Sequence, residues 1–293
     1  MIVLSGKEVA NSKLEELKIQ TQSFYQKYNR KPTLAVILVG EDPASQTYVA
    51  SKKKACERLG YGHKDFLLEE TVTQDELNSL IDTLNNDASV DGILVQMPLP
   101  KHLDEQEVIE RIRSDKDVDG FHPNNVGKLL IGLDCFVSCT PKGIMAILDY
   151  YNIETASKNV VIIGRSNIVG KPMASLLIQK GRDATVTIAH SRTKNLKELT
   201  KSADILIAAI GRAGFVTADM VKEDCVVIDV GINRVEDSSR KRGYRVVGDV
   251  DYKNVSEKVK AITPVPGGVG LMTIAMLMEN TLQSAIMHEE KDN

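Results

Sequence analysis

The stretch NVVIIGRSNIVGKP, Asn159 to Pro172, decides how the chain is read. Val160 to Ile163 form a continuous apolar run of strand length, as a parallel strand buried on both faces requires. Gly164 ends the run, Gly170 closes the loop that follows, and Pro172 suits the first turn of a helix, where its missing N–H costs nothing. Glycine lets backbone approach a ligand closely, and a helix N-terminus offers free N–H groups and the positive end of a dipole to phosphate. The spacing is a variant of GxGxxG. A plain structural turn can produce the same spacing, so the next strand has to decide.

That strand is ATVTIA, residues 184–189, and it runs into His190, Ser191, Arg192 and Thr193. In NAD sites an acidic residue near this point holds the ribose hydroxyls, whereas a basic residue accommodates a 2′-phosphate. No acid is present. Arg165 and Arg192 can converge on a phosphate with the Ser191 hydroxyl beside them, so NADP is expected over NAD. DILIAAIG (204–211) and CVVIDVG (225–231) repeat the strand pattern and complete one dinucleotide-binding sheet. Upstream, Thr140 and Pro141 have the pattern of an N-cap and first helical position ahead of Ile144, Ile147 and Leu148. Downstream, the polar segment 233–247 predicts a surface hairpin.

Working outward, TLAVILV (33–39) and DGILVQ (91–96) are two more buried strands. A helix starts after Asp42 and Pro43 and runs to about Gly60, and another starts at Thr73, which has Glu76 at capping-box spacing. A final helix begins near Leu271. The expected fold class is α/β in two lobes, with a mainly parallel sheet in each. A three-layer α/β domain spans 1–139 and is completed by the helix at 273–293, and a Rossmann-type domain spans 140–272. A chain of 293 residues is near the length at which one core divides into two.

Composition narrows the functions available. A hydrophobic fraction of 42% and a charged fraction of 26% are those of a globular protein, and a net charge of -3 supplies no positive field for nucleic acid or anionic membrane. The amino terminus MIVLSGKEVANSKLEEL lacks the pattern of a signal peptide, and GLMTIAMLM (270–278) is broken by Glu279 and Asn280 well short of the ~20 residues of a membrane span. A cytoplasmic protein is expected. Cys56, Cys135, Cys139 and Cys225 form no CxxC pair and the five histidines no HExxH, so no metal site is expected.

Three features outside the glycine loop carry chemistry. Tyr48 and Lys52 are four apart on the helix from Pro43 and lie on one face, which Ser45, three before Tyr48, could share; a phenol and an ammonium side by side suit proton transfer. Gln96 ends an apolar strand ahead of a stiff Pro98-Leu99-Pro100 corner, at the carboxyl edge where open α/β sheets collect ligands. In KDVDGFHP, Asp117 and Asp119 precede Gly120 in a loop able to present a carboxylate to the N–H groups of a heterocycle. Taken singly, each is also what a solvated helix face or turn would show.

Together, YVASKKKA, VQMPLP, KDVDGFH, CTPKGI, GRSNIVGKP and PVPGGVG, in this order across nearly the whole chain, resemble the methylenetetrahydrofolate dehydrogenase/cyclohydrolase family. One departure is visible: Leu271 stands where the family's PGGVGPMT motif has proline. The resemblance implies that Lys52 is the catalytic lysine, that Tyr48 packs on and orients the folate, and that Gln96 positions the lysine. It makes Asp119 the anchor of the pterin ring and places Pro98, Leu99, Gly267 and Gly268 at the substrate. It assigns Gly164, Arg165, Ser166, Gly170, Pro172, Ser191, Arg192, Gly211, Ile232 and Thr273 to the cofactor. The implied reactions are NADP-dependent oxidation of 5,10-methylenetetrahydrofolate to the methenyl form and its hydrolysis to 10-formyltetrahydrofolate. The setting it implies is one-carbon metabolism and purine biosynthesis, in a homodimer. Another two-lobed NADP dehydrogenase, for an amino acid or a shikimate-like substrate, explains the second lobe but not Tyr48, Lys52, Gln96 and Asp119. A non-enzymatic NADP sensor has no use for the lysine and tyrosine pair.

Overall fold

In the computed structural model, which describes residues 1–240 and 243–291, apolar runs become strands and capped amphipathic segments become helices. Positions 241 and 242, inside the expected hairpin, and 292 and 293, at the end of the expected last helix, lie outside the described residues. The first half of the chain contains β1 (Ile2–Val3), α1 (Gly6–Tyr28), β2 (Thr33–Val39), α2 (Pro43–Leu59), β3 (Gly62–Leu68), α3 (Gln74–Asn86), β4 (Gly92–Val95), α4 (Glu105–Arg111), α5 (Pro123–Leu130) and α6 (Cys139–Tyr150). The second contains β5 (Asn159–Ile163), α7 (Gly170–Leu177), β6 (Thr185–Ala189), α8 (Leu196–Lys201), β7 (Ile205–Ala208), β8 (Val226–Asp229), β9 (Asn233–Glu236), β10 (Tyr244–Val247), α9 (Tyr252–Ser256), β11 (Ala261–Ile262) and α10 (Met272–Lys291).

Two compact units result. One comprises Ser12–Cys139 and the chain from Ile274 onward; the other comprises Met1–Asn11 and Thr140–Thr273. The sequence reading kept 1–139 together, but β1 pairs in parallel with β11 and so joins the second unit. A strand of two residues has no pattern to read.

In the first of these units, β2 lies between β3 and β4 in a three-stranded parallel sheet. Leu77, Ile81 and Leu84 of α3 pack with Ile37, Ile93 and Val95 into one buried cluster. Full burial of each such side chain contributes about 1.5–3 kcal/mol. The Thr73 capping box forms as the sequence requires, and Asp42 caps α2 by accepting from the Ser45 amide at 2.8 Å. The carboxyl edges of β2 and β4 are thereby held as a rigid platform for Gln96.

In the other unit, six parallel strands run in the order β1-β11-β8-β7-β5-β6. The chain leaves β5 toward β6 and returns across it to β7, so the strand order reverses at the carboxyl ends of β5 and β7. In open α/β sheets that is where ligands bind. The expected hairpin forms as the antiparallel pair β9 and β10. Helix α6 begins at Cys139, so Thr140 and Pro141 sit within its first turn and Thr140 is not its N-cap.

Candidate active site

Lys52 projects from α2 to Gln96, just past the end of β4, and its Nζ donates to Gln96 Oε1 at 2.8 Å. The Gln96 amide is fixed by its other end, since Nε2 donates to Met97 O at 2.7 Å. Burial pushes the Lys52 ammonium below the ordinary lysine range, while the nearby charge of Asp119 and the Cys139 sulfur oppose that shift. Asp119 shows the converse, for burial pushes its carboxyl up and Lys52 and a hydrogen bond from Cys139 draw it back. The three sequence candidates Lys52, Gln96 and Asp119 are therefore one cluster: an amine whose hold on its proton is weakened by burial, an amide that aims it, and a carboxylate beside it.

The two aspartates of the KDVDG loop part company. Asp117 is buried and accepts from the amides of Phe121 (3.2 Å) and His122 (2.8 Å) and from Asn125 Nδ2 (2.8 Å), so it builds the loop; burial pushes its carboxyl up to about 7. Asp119, partly buried, instead accepts from Cys139 Sγ at 3.8 Å. Behind it, Asn280 of α10, fully buried, donates through Nδ2 to Val118 O at 2.8 Å and Val137 O at 3.0 Å, tying together the segments that carry Asp119 and Cys139. Sequence reasoning noted Asn280 only as an interruption of an apolar run. The usable signal was that a lone amide inside a buried helix needs partners.

Tyr48 is 44% exposed, one turn before Lys52 on α2. Ser45 turns away from that exposed face and is buried. Pro98 is exposed at the corner, but the Leu99 side chain belongs to the core of β2, β4 and α3, so only its backbone is available to a substrate. Its amide donates to Glu105 Oε1 at 3.1 Å.

At the reversal point of the six-stranded sheet, the loop after β5 lies tight against its neighbours. Gly164 has φ +129°, and a Cβ on it would overlap the Ala209 carbonyl oxygen; one on Gly170 would overlap the carbonyl oxygen of Gly164. Ser166 Oγ accepts from the Val169 amide at 3.1 Å and shapes the turn into α7, where Pro172 is buried. Register pairs Ile163 with Ala189, so Arg165 and the His190–Arg192 segment follow adjacent strand ends. Arg165, Ser191 and Arg192 are exposed, and neither arginine has an acidic partner among the described residues. A donor set of two unpaired guanidiniums and a hydroxyl fits a 2′-phosphate. Gly211 follows β7, and Ile232 follows β8 with 53% exposure. Thr273 Oγ1 donates to Gly270 O at 3.0 Å, and Gly267 O accepts from the Lys7 amide at 3.2 Å in the loop ahead of α10. Among the described residues, no group of three or more His, Cys, Asp or Glu gathers to hold a metal, and no helix is long and apolar enough to cross a membrane.

Known proteins are similar to this chain in sequence and in fold. Residues 4–119 match the family model for the tetrahydrofolate dehydrogenase/cyclohydrolase catalytic domain, and residues 138–289 match the model for its NAD(P)-binding domain. The bifunctional protein FolD of Chlorobium phaeobacteroides (strain BS1) is 57% identical over 288 residues, 97% of each chain. The crystal structure of the bifunctional FolD dehydrogenase/cyclohydrolase of Campylobacter jejuni superposes with a TM-score of 0.93 at 51% identity, covering 98% of this chain and 99% of that one. The Trypanosoma brucei dehydrogenase-cyclohydrolase, solved with NADP cofactor and inhibitor, also gives 0.93, at 37% identity over 98% of both chains.

Proposed function

Because the chain belongs to the tetrahydrofolate dehydrogenase/cyclohydrolase family, we propose that the cluster of Lys52, Gln96 and Asp119 carries the hydrolytic half of its two-step conversion. The protein is a bifunctional enzyme: it oxidises 5,10-methylenetetrahydrofolate to the methenyl form with NADP and hydrolyses that product to 10-formyltetrahydrofolate. When bound, NADP supplies the hydride acceptor. On this reading the backbone at Gly164 and Gly170, with Ser166 and Pro172 shaping the turn, receives the pyrophosphate. Arg165, Ser191 and Arg192 hold the 2′-phosphate, and Gly211, Ile232 and Thr273 line the rest of the dinucleotide site.

Hydrolysis adds water across a C–N bond of a cationic, amidinium-like centre and releases one proton, so it requires proton management more than charge creation. Lys52 fits that role because burial has already weakened its hold on its proton. Gln96 fixes where Nζ points, Asp119 accepts from the N–H groups of the pterin, and Tyr48 stacks on it, with Pro98 and the Leu99 backbone completing this unit's substrate contacts. The observation that carries the reading is the 2.8 Å contact between Lys52 Nζ and Gln96 Oε1 beside the Asp119 carboxylate. Folate binding and catalysis then fall to the unit of 12–139 with the last helix, and NADP binding to 140–272. The family likeness supports a homodimer, read by light scattering, and a cytoplasmic location, read by cell fractionation.

Lys52→Met tests the division of labour. Losing a positioned proton carrier costs about 10²–10⁴ in rate, and that loss is expected in methenyl hydrolysis, with a much smaller one in hydride transfer. Equal loss of both, with folate binding intact, contradicts it.

A further inference from the structure

Asp249, just past β10, is fully buried, and its carboxylate is spent on the backbone of another segment. Oδ2 accepts from the amides of Ile210 (2.6 Å) and Gly211 (2.9 Å), while Oδ1 accepts from the amide of Arg212 (2.8 Å) and from Asn233 Nδ2 (2.9 Å). Three successive N–H groups at the carboxyl end of β7 thus converge on one side chain. A second buried carboxylate backs the first. Asp229, the last residue of β8, accepts from the amides of Gly231 (3.0 Å), Asp249 (2.8 Å) and Val250 (3.0 Å), and its own amide donates to Thr263 Oγ1 at 2.8 Å. The packing leaves no room for any side chain between them. A Cβ on Gly231 would overlap the Asp249 carboxylate, and one on Gly248 would overlap that of Asp229.

An ionised carboxylate is costly to bury unless its lone pairs are filled, and filling them from one loop turns that cost into shape. The loop so shaped, Ile210 to Arg212, stands at the reversal of strand order beside Gly164, and the loop after β8 carries Ile232. We propose that Asp249, backed by Asp229 and Asn233, is a positioning residue for NADP: it touches no cofactor atom, but it holds the loop after β7 in the one conformation that receives the dinucleotide. Affinity for NADP is then set by a side chain far along the sequence from the glycine loop. This rests on the reading that NADP occupies the crevice at β5 and β7.

The test uses the full-length enzyme. Asp249→Asn replaces one acceptor oxygen, and with it two of the four accepted hydrogen bonds, by an NH2 group that faces donors, and it is expected to raise Kd and KM for NADP at least about tenfold. The KM for methylenetetrahydrofolate and kcat at saturating NADP change far less, a split that general destabilisation does not produce. Asn233→Ala removes one donor to Asp249 and is expected to raise KM for NADP in the same direction by a smaller factor, which decides the matter if Asp249→Asn fails to fold. A folded variant of either kind that binds NADP as tightly as the parent overturns the proposal. Parent protein that does not bind NADP in calorimetry would instead overturn the cofactor reading on which the proposal stands.

Discussion

Replacing Gln96 by Met takes away the oxygen that accepts from Lys52 Nζ at 2.8 Å and leaves the side-chain volume nearly unchanged. The amide is oriented for this role, because Nε2 is committed to Met97 O at 2.7 Å and Oε1 is left for the lysine. A hydrogen bond to a charged group contributes about 1.5–3 kcal/mol, and this one favours the ammonium form. Met also solvates the amine less well, and burial is already what lowers Lys52, so both effects have the same sign. Asp119 still opposes the shift but is unchanged by the substitution. Initial rates of methenyl hydrolysis, corrected for the uncatalysed reaction and followed across pH, report the result. With the neutral amine as the working form, the rate climbs with pH to a plateau, and in Gln96→Met the climb moves toward acid. The plateau falls as well, because Nζ is no longer aimed. A climb centred at the same pH in both proteins, whatever the plateau, would falsify the role given to Gln96.

Three further outcomes follow from other parts of the molecule. Gly170→Ala forces its Cβ into the Gly164 carbonyl oxygen and is expected to destabilise the dinucleotide unit by about 1–3 kcal/mol in thermal melts and to weaken NADP binding. Arg165→Ala combined with Ser191→Ala is expected to lower NADP affinity at least about tenfold while barely changing NAD affinity, read by calorimetry with each cofactor; equal losses would refute the 2′-phosphate assignment. Burial pushes buried Asp91 up, but hydrogen bonds from His288, Arg30 and the Thr33 amide outweigh it and hold the carboxyl below the ordinary range. Its stabilising contribution is therefore complete above the unfolded value of about 3.9 and is lost as pH falls through the depressed folded value, so Asp91→Asn, measured by denaturant midpoint, is expected to lessen the acid sensitivity of the parent.

The fold was legible where local rules and burial agree. TLAVILV emerges as β2 with the expected bounds and the run Val160 to Ile163 as β5, which begins one residue earlier at Asn159, because both strands lie inside their sheets and are apolar almost throughout. Strand β3 escaped notice because it is bonded to β2 on one side only, and its partly exposed positions admit His63, Lys64 and Asp65. Strands β1 and β11 have two residues each, too few to show a period. In the site, spacing alone put Tyr48 and Lys52 on one helix face, but it could not separate Asp117 from Asp119. That distinction depends on Asn125 and the amides of Phe121 and His122 closing on one carboxylate and not the other. Asn280 and Asp249 were equally hidden, since each acts on backbone far away in sequence, and such partners exist only once the chain has folded.

The most direct test of the central claim is the reduction of NADP by the purified protein on addition of 5,10-methylenetetrahydrofolate, with NAD run in parallel and methenyl hydrolysis followed in the same cuvette. Turnover with NADP, weaker or absent turnover with NAD, and continued hydrolysis of the methenyl product are the predicted result. Folded protein that binds NADP yet turns over methylenetetrahydrofolate with neither cofactor would contradict it.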